Sequence, residues 1–370
     1  MPRIESAHLW VALSPHGYGH AAMTAPVVAE LRRRRPRLRV TVQTSLPRHF
    51  LATRYGEDVT LVGDIPDFGF RMLSATEIDR EASATGYLTL HANFDAVVAA
   101  EAARLAAAAP DVVLANVPYV TIAAAARAKI PVAGFSSLNW ADMYRHYLGD
   151  RPEASRIGGE MLAAYEAGDV FLRVTPAMDM PRFSKMRTIG PVGRRGAGRG
   201  AELRAGLGLT ADAKVGLIAF GGIDHALPLD RWPMLAGWTW LSTLPVPARD
   251  DLRPWEAARM AFVDLLASCD VVVTKPGYGT FTEAALAGRP VLFQPRPDWP
   301  ESPHLDNWLM AHTRALPTDM EALLDGGLAA QLQRLFSLPD PGVAEPTGVD
   351  EAVCVLESML DGTGAACARS

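Results

Sequence analysis

The sequence predicts an α/β protein of two doubly wound domains, each a parallel sheet covered by helices on both faces. Three observations predict it. Short, nearly continuous apolar runs alternate with longer helical patterns along most of the 370 residues, which is how strands buried on both faces read. A Gly- and Arg-rich stretch without apolar periodicity, "RTIGPVGRRGAGRGAEL" from Arg187, interrupts the alternation, which restarts beyond it. Each half also has a strand that hands over to a helix through a glycine turn, the kind of place where such sheets bind ligands.

The first domain is expected over residues 1–190. "HLWVAL" is its first strand and "AAMTAPVVAELRRRR" the helix behind it. "RVTVQT" and "VTLVG" follow as strands, "ANFDAVVAAEAARLAAAA" as one helix, then strand "DVVLANV", helix "YVTIAAAARAK" and strand "PVAGFS". The stretch from Arg187 reads as an exposed linker. The second domain, 191–350, runs through "KVGLIAF", "GWTWLST", "DVVVTK" with its helix, and "PVLFQP". "GVDEAVCVLESML" is a closing helix, and residues 351–370 form a last segment of helix and frayed tail. The two domains are expected to face a cleft.

Hydrophobic residues make up 49% of the chain, enough to fill two cores. A net charge of −5 excludes a nucleic-acid partner held by a general basic field. The one basic run, Arg32 to Arg35, lies between "VVAEL" and Pro36. It reads as the solvated end of a helix, where positive charge suits the dipole, rather than as a phosphate or membrane patch. Cys269, Cys354 and Cys367 are scattered and include no CxxC pair, so neither a disulfide framework nor a zinc site is expected. No run approaches the ~20 apolar residues of a membrane span, and the N-terminus lacks a secretory core. The expectation is a cytoplasmic protein with no membrane span; peripheral membrane contact and oligomeric state stay open.

"LSPHGYGHAAM" follows the first strand. Gly17, Gly19 and Ala22 match the dinucleotide spacing G-x-G-x-x-G/A. That fingerprint also requires an acidic residue at the end of the second strand, and the place reads Gln43, Thr44, Ser45. A dehydrogenase is therefore not predicted. What remains is a tight turn that lets a ligand approach the backbone, flanked by His16 and His20. These are separated by Gly-Tyr-Gly and carry no H-E-x-x-H pattern, so they are not a metal pair. His20, at a helix start that should keep its ring neutral, is a candidate general base. The alternative is a histidine that only caps or packs.

"DVVVTKPGYGTFTEAALAGRPVLF" runs from Asp270 to Phe293. Pro276 ends the strand, and Gly277 and Gly279 read as taking φ values closed to other residues. Tyr278 and Thr280 then lie at the free amides of the next helix, which favour an anion. Glu283, one turn along, suits a carboxylate that accepts from a ribose diol. Phosphates at the turn and ribose on the acid describe a nucleoside diphosphate. The alternative is an ordinary turn with an exposed glutamate. Gly221 and Gly222, after "KVGLIAF", offer a second bare backbone for a diphosphate. Lys275 reads equally as a phosphate partner or as a strand-end residue pointing to water.

These stretches resemble the GT-B glycosyltransferases. "TKPGYGTFTEAALAGRPVLF" is similar to the C-terminal half of the peptidoglycan GlcNAc transferase and closer to the glycosyltransferase-like N-terminal region of L-arabinokinases. "HGYGHAAM" resembles the G-x-G-H-x-x-R loop of that group. "LNWADMYRHY", "DVFLRVTPAMDMP", "FGGIDHALPLD" and "PRPDWPESPHLDNWL" resemble further segments, so the likeness runs from about Trp10 to Leu316.

The resemblance implies two Rossmann-like domains, an acceptor held by the first and a nucleotide sugar by the second. It implies phosphate contact for Gly277 to Thr280, ribose contact for Glu283, sugar-hydroxyl contact for Glu301 or Asp298, and His20 as base. His16, Gly17, Gly19, Asn139 and Trp140 fall on the acceptor side. Two positions depart from the pattern. Met23 stands where the group has arginine, and Asn116 where related sequences carry aspartate. An asparagine orients an imidazole but does not stabilise its charged form as an aspartate does.

Trp238 and Trp240 alternate along a strand and read as packing; Trp299, in a Pro-rich loop, reads as a ligand contact. The expected activity is transfer of a sugar from a UDP- or dTDP-sugar to a hydroxyl of a small molecule or glycan. The sequence has no Asp-x-Asp pair, so no metal is expected, and the nucleotide sugar is substrate rather than cofactor. Two other readings stay open: a sugar-nucleotide epimerase on the same fold, and a non-catalytic nucleotide-sugar-binding module.

Overall fold

A computed structural model describes residues 6–73, 77–220 and 227–365. The chain divides into two compact units: Met1–Val192 together with Thr347–Ser370, and Gly193–Pro346.

Unit 1 holds seven strands: β1 His8–Leu13, β2 Arg39–Gln43, β3 Thr60–Val62, β4 Val112–Asn116, β5 Val132–Ser136, β6 Val170–Val174 and β7 Met186–Ile189. They form one sheet in the order β3-β2-β1-β4-β5-β6-β7, with every pair parallel. β1 and β4 are buried at every position, because helices cover both faces of the sheet. The strand order reverses between β1 and β4, whose ends are paired Leu13 to Asn116. Such a reversal, at the carboxyl edge of a parallel sheet, is where open α/β sheets bind ligands.

Unit 2 repeats the plan with β8 Lys214–Ala219, β9 Trp238–Ser242, β10 Leu252–Pro254, β11 Val271–Thr274, β12 Val291–Phe293 and β13 Ala315–Pro317. The order is β10-β9-β8-β11-β12-β13, again all parallel. Its reversal falls between β8 and β11, where Ala219 pairs with Thr274. Trp240 is fully buried, stacked on Trp238 at 5.2 Å and edge-on to Trp232 at 5.1 Å. These three indoles serve the core.

Several local expectations need correction. The Ala-rich segment is one helix as read, Phe94–Ala108, but its first residue, Ala92, closes a preceding helix that was not read, Arg80–Ala92, because Asn93 leaves the helical region at φ −135°. The stretch read as an exposed linker begins inside β7 and ends inside the helix Gly200–Gly206. Its middle packs on unit 2: Arg195 donates to the carbonyls of Leu286 and Ala344. A Cβ on Gly196 would lie 2.0 Å from the Val263 carbonyl oxygen, so only glycine allows this approach. Cys354 is disulfide-bonded, which the scattered cysteines did not suggest, while Cys269 is free and buried.

The closing helix, Thr347–Leu360, belongs to unit 1 and packs on the helix Gly19–Arg34. Its apolar face buries Ala352, Val353, Val355 and Leu356. Around that face the basic run is paired rather than simply solvated. Arg34 meets Asp350 and Glu357, and Arg35 meets Glu357 and Asp361. No helix among the described residues is long and apolar enough to cross a membrane.

Candidate active site

In unit 1 the loop after β1 and the last residue of β4 meet at the strand-order reversal. Gly17 sits at φ +117°, and a side chain there would meet nothing within 4 Å, so the backbone conformation is what calls for glycine. Gly19 opens the helix Gly19–Arg34, and its Cβ direction is also empty within 4 Å. His20 follows and is buried. Its Nδ1 lies 2.6 Å from Asn116 Oδ1. An amide oxygen only accepts, so Nδ1 carries the proton and Nε2 is the proton-accepting nitrogen. Burial lowers the His20 pKa to about 4, and the Asn116 bond pushes weakly the other way. The ring is neutral at pH 7, as the sequence suggested, but burial is the main cause, ahead of any effect of the helix end.

The other residues expected on the acceptor side take less open positions. Asn139 is fully buried; its Oδ1 accepts from Asp142 N at 2.8 Å, which caps the helix Trp140–Leu148. Trp140 is buried beneath the histidines, edge-on to His16 at 5.2 Å and to His20 at 5.9 Å. His16 Nδ1 lies 3.1 Å from the Phe70 carbonyl oxygen, which ties the loop to the segment that covers Trp140.

Sequence reasoning missed Asp67. It is buried, and its Oδ2 accepts from Val120 N at 3.4 Å, at the start of the helix Tyr119–Arg127. Its Oδ1 has no hydrogen-bond partner among the described residues, and burial raises its pKa to about 7. The helix that follows β4 therefore has a carboxyl group of the chain itself at its N-terminus.

In unit 2, Lys275 leaves β11 and the helix Tyr278–Leu286 begins three residues later. Gly277 is the N-cap at φ −171°, which is extended backbone. Gly279, which also lacks a positive φ, lies inside the helix. The expectation that both glycines need special φ values is thus corrected. Gly277 has only open space near its Cβ direction, with nothing closer than 3.9 Å, so the turn remains accessible at its backbone. Thr280 lies in the first turn, and Glu283 in the second, buried rather than exposed. Gly221 and Gly222 lie outside the described residues.

Lys275 does not simply point to water. Burial first, then the charge of Arg296, lowers its pKa to about 8. Arg296 follows β12 on the same carboxyl edge, 8% exposed, and was also missed. Its guanidinium lies 4.2 Å over the Trp299 ring. Trp299, expected as a ligand contact, is buried under it, and its Nε1 donates to Glu301 Oε2 at 3.2 Å. Asp298 is half exposed and lies 3.8 Å from Arg296 Nε. A cation within three residues of a strand's carboxyl end was the one signal for Arg296, hidden by its proline neighbours.

No protein-family model matches the chain. L-arabinokinase of Arabidopsis thaliana is 26% identical over 368 residues, covering 90% of this chain and 32% of that protein. The chain thus spans about a third of the length of the curated relative it matches. Among solved structures, the kitacinnamycin glycosyltransferase superposes with a TM-score of 0.59 at 19% identity, covering 98% of this chain and 97% of its own. The spinosyn rhamnosyltransferase complexed with thymidine diphosphate gives 0.55 at 17%, covering 96% of both chains. A UDP-N-acetylglucosamine 2-epimerase from Listeria monocytogenes gives 0.56 at 14%, covering 97% and 98%. These likenesses, with the two reversed-order parallel sheets, establish the GT-B fold: two Rossmann-like α/β domains.

Proposed function

We propose that the chain is a glycosyltransferase that moves a sugar from a nucleoside-diphosphate sugar to a hydroxyl acceptor. The observation that carries this reading is His20, held in one tautomer by Asn116 at 2.6 Å, neutral, and placed at the strand-order reversal of unit 1. The acceptor O–H gives its proton to His20 Nε2 as its oxygen bonds to the sugar's anomeric carbon. The bond from that carbon to the diphosphate breaks, and the nucleoside diphosphate leaves with the electron pair.

Unit 2 holds the donor in this reading. Lys275 and the amides from Gly277 to Thr280 take the diphosphate charge, so that no metal is required, and Glu283 takes the ribose. Glu301 and Asp298 meet the sugar. Asn116 orients His20 but leaves it a weak base, because among the described residues no carboxylate bonds the ring to compensate an imidazolium. Donors bearing uridine and thymidine are the first to try, since one neighbour was solved with thymidine diphosphate.

The epimerase among the structural neighbours supports a second reading, isomerisation of the nucleotide sugar itself. One experiment separates the outcomes. Isotope-labelled UDP- and dTDP-sugars are incubated with the protein and a panel of hydroxyl acceptors, and products are read by mass spectrometry and NMR. A glycosylated acceptor with free nucleoside diphosphate supports transfer. An isomerised nucleotide sugar overturns it in favour of epimerisation. Binding without either product makes the chain a nucleotide-sugar-binding module.

A further inference from the structure

Trp299 touches two buried, oppositely charged side chains with two different parts of one ring. Its face carries the Arg296 guanidinium at 4.2 Å, and its Nε1 donates to Glu301 at 3.2 Å. Arg296 and Glu301 are 8% and 6% exposed. They flank the short Pro-rich turn between β12 and the helix Ser302–His312. The neighbouring strand β11 is followed directly by Lys275, whose ammonium feels the Arg296 charge.

Two cations withdrawn from water at the ends of adjacent strands repel each other, and each has lost hydration. An anion placed between them restores both losses. Asp298 lies 3.8 Å from Arg296 Nε, with its side chain 52% exposed and its field screened by solvent. A guanidinium stacked on an indole spends its face there. Its in-plane N–H groups are the ones that match two phosphate oxygens at once.

We propose that Arg296 and Lys275 together take the donor diphosphate, and that Trp299 is the positioning residue that fixes Arg296 and Glu301 relative to each other. Phosphate and sugar are then recognised as one rigid unit. The proposal rests on the nucleotide-sugar reading of unit 2.

The test is calorimetric binding of UDP, UMP, dTDP, dTMP and their sugar conjugates to the full chain and three variants, with melting curves to confirm folding. The wild type is expected to prefer a diphosphate to the matching monophosphate by about tenfold or more. Arg296→Gln should lose about 10–100-fold for diphosphates and stay within about threefold for monophosphates. Arg296→Lys keeps the charge and should lose less, about 3–10-fold; it carries the test if the glutamine variant does not fold. Trp299→Phe keeps a stacking face and loses the Nε1 donor. It should bind the diphosphates within about threefold of wild type yet lose the added affinity of the sugar conjugate. A wild type that binds no nucleotide would overturn the nucleotide-sugar reading itself. A wild type that binds, with Arg296 variants that keep its diphosphate preference, overturns the phosphate role. Full sugar discrimination in Trp299→Phe overturns the positioning role.

Discussion

The Asn116 amide is held on one side by His20 and on the other by Met23: Oδ1 lies 2.6 Å from the imidazole, and Nδ2 lies 3.2 Å from the thioether sulfur. Met23 and Asn116 are the two positions at which the chain departs from the pattern it resembles, and they touch. An arginine and an aspartate in these places would be opposite charges in contact. Here both are neutral, and the histidine beside them stays neutral too.

This pairing can be tested by restoring the charge. Asn116→Asp should raise the His20 pKa from about 4 by more than one unit, since a carboxylate favours the imidazolium beside it. Adding Met23→Arg should reduce the rise, because the arginine then shares the carboxylate. NMR titration of the ring protons reads both, and a His20 still titrating near 4 in the single variant contradicts the account.

His20→Ala should lower transfer turnover by about 10²–10⁴-fold, the usual contribution of a positioned base. Donor affinity should hardly change, because the residues proposed to hold the donor belong to unit 2. Turnover measured with saturating donor, beside calorimetry with the nucleoside diphosphate, checks the two halves separately; full turnover in the variant places the base elsewhere.

His20 and Asp67 should tilt stability in opposite directions over one pH range. Asp67 titrates at about 7 in the fold against 3.8 unfolded, so the folded chain keeps a proton the unfolded chain has lost. Its contribution therefore falls as pH rises from about 4 to about 7. His20 titrates at about 4 in the fold against 6.5 unfolded, so the unfolded chain binds the extra proton. Its contribution falls as pH drops from about 6.5 to about 4. The His20 slope is worth roughly 3.5 kcal/mol and the Asp67 slope roughly 4.5 kcal/mol across its range, at about 1.4 kcal/mol per pKa unit. Asp67→Asn should leave stability rising with pH, and His20→Gln should leave it falling. Urea unfolding at about pH 4.5 and about pH 6.5 would expose the split; two variants with the wild-type profile would refute it.

Nucleoside diphosphate binding should take up protons at about pH 8. Free Lys275 is about half protonated there, and a bound anion stabilises its charged form. Calorimetry in buffers of different ionisation enthalpy should give an uptake of about half a proton, absent in Lys275→Gln. Equal heats in every buffer would mean Lys275 does not meet the anion.

The closing helix should be held by its apolar face more than by its ion pairs. Leu356→Ala, at a fully buried position, is expected to cost about 2–5 kcal/mol. Arg34→Ala removes pairs with half-exposed or exposed carboxylates and should cost about 1 kcal/mol or less. Denaturant unfolding ranks the two, and the reverse order would overturn this.

The apolar strands were legible because β1, β4 and β11 are buried on both faces, and that leaves an unbroken local pattern. β7 was not, since only Ile189 of its four residues is buried at the sheet edge, and the rest reads as polar linker. His20 could be named because it lies at the start of the helix after β1, and Asn116 because it ends β4. That they bond, and that burial sets the histidine's charge, depends on contacts 96 residues apart. Asp67 and Arg296 escaped for a related reason. Each lies in a proline-containing loop whose composition predicts exposure, and only the layers folded over it make it a buried charge.

The return of Thr347–Leu360 to unit 1 has a consequence for biogenesis. Residues 193–346 form a contiguous stretch and can complete their fold as soon as they leave the ribosome. The portion made first must wait: the surface of the helix Gly19–Arg34 that packs against the helix Thr347–Leu360 stays uncovered until more than three hundred residues have been translated. The half synthesised earliest is the half finished last, and that exposed helix is where a chaperone would be needed.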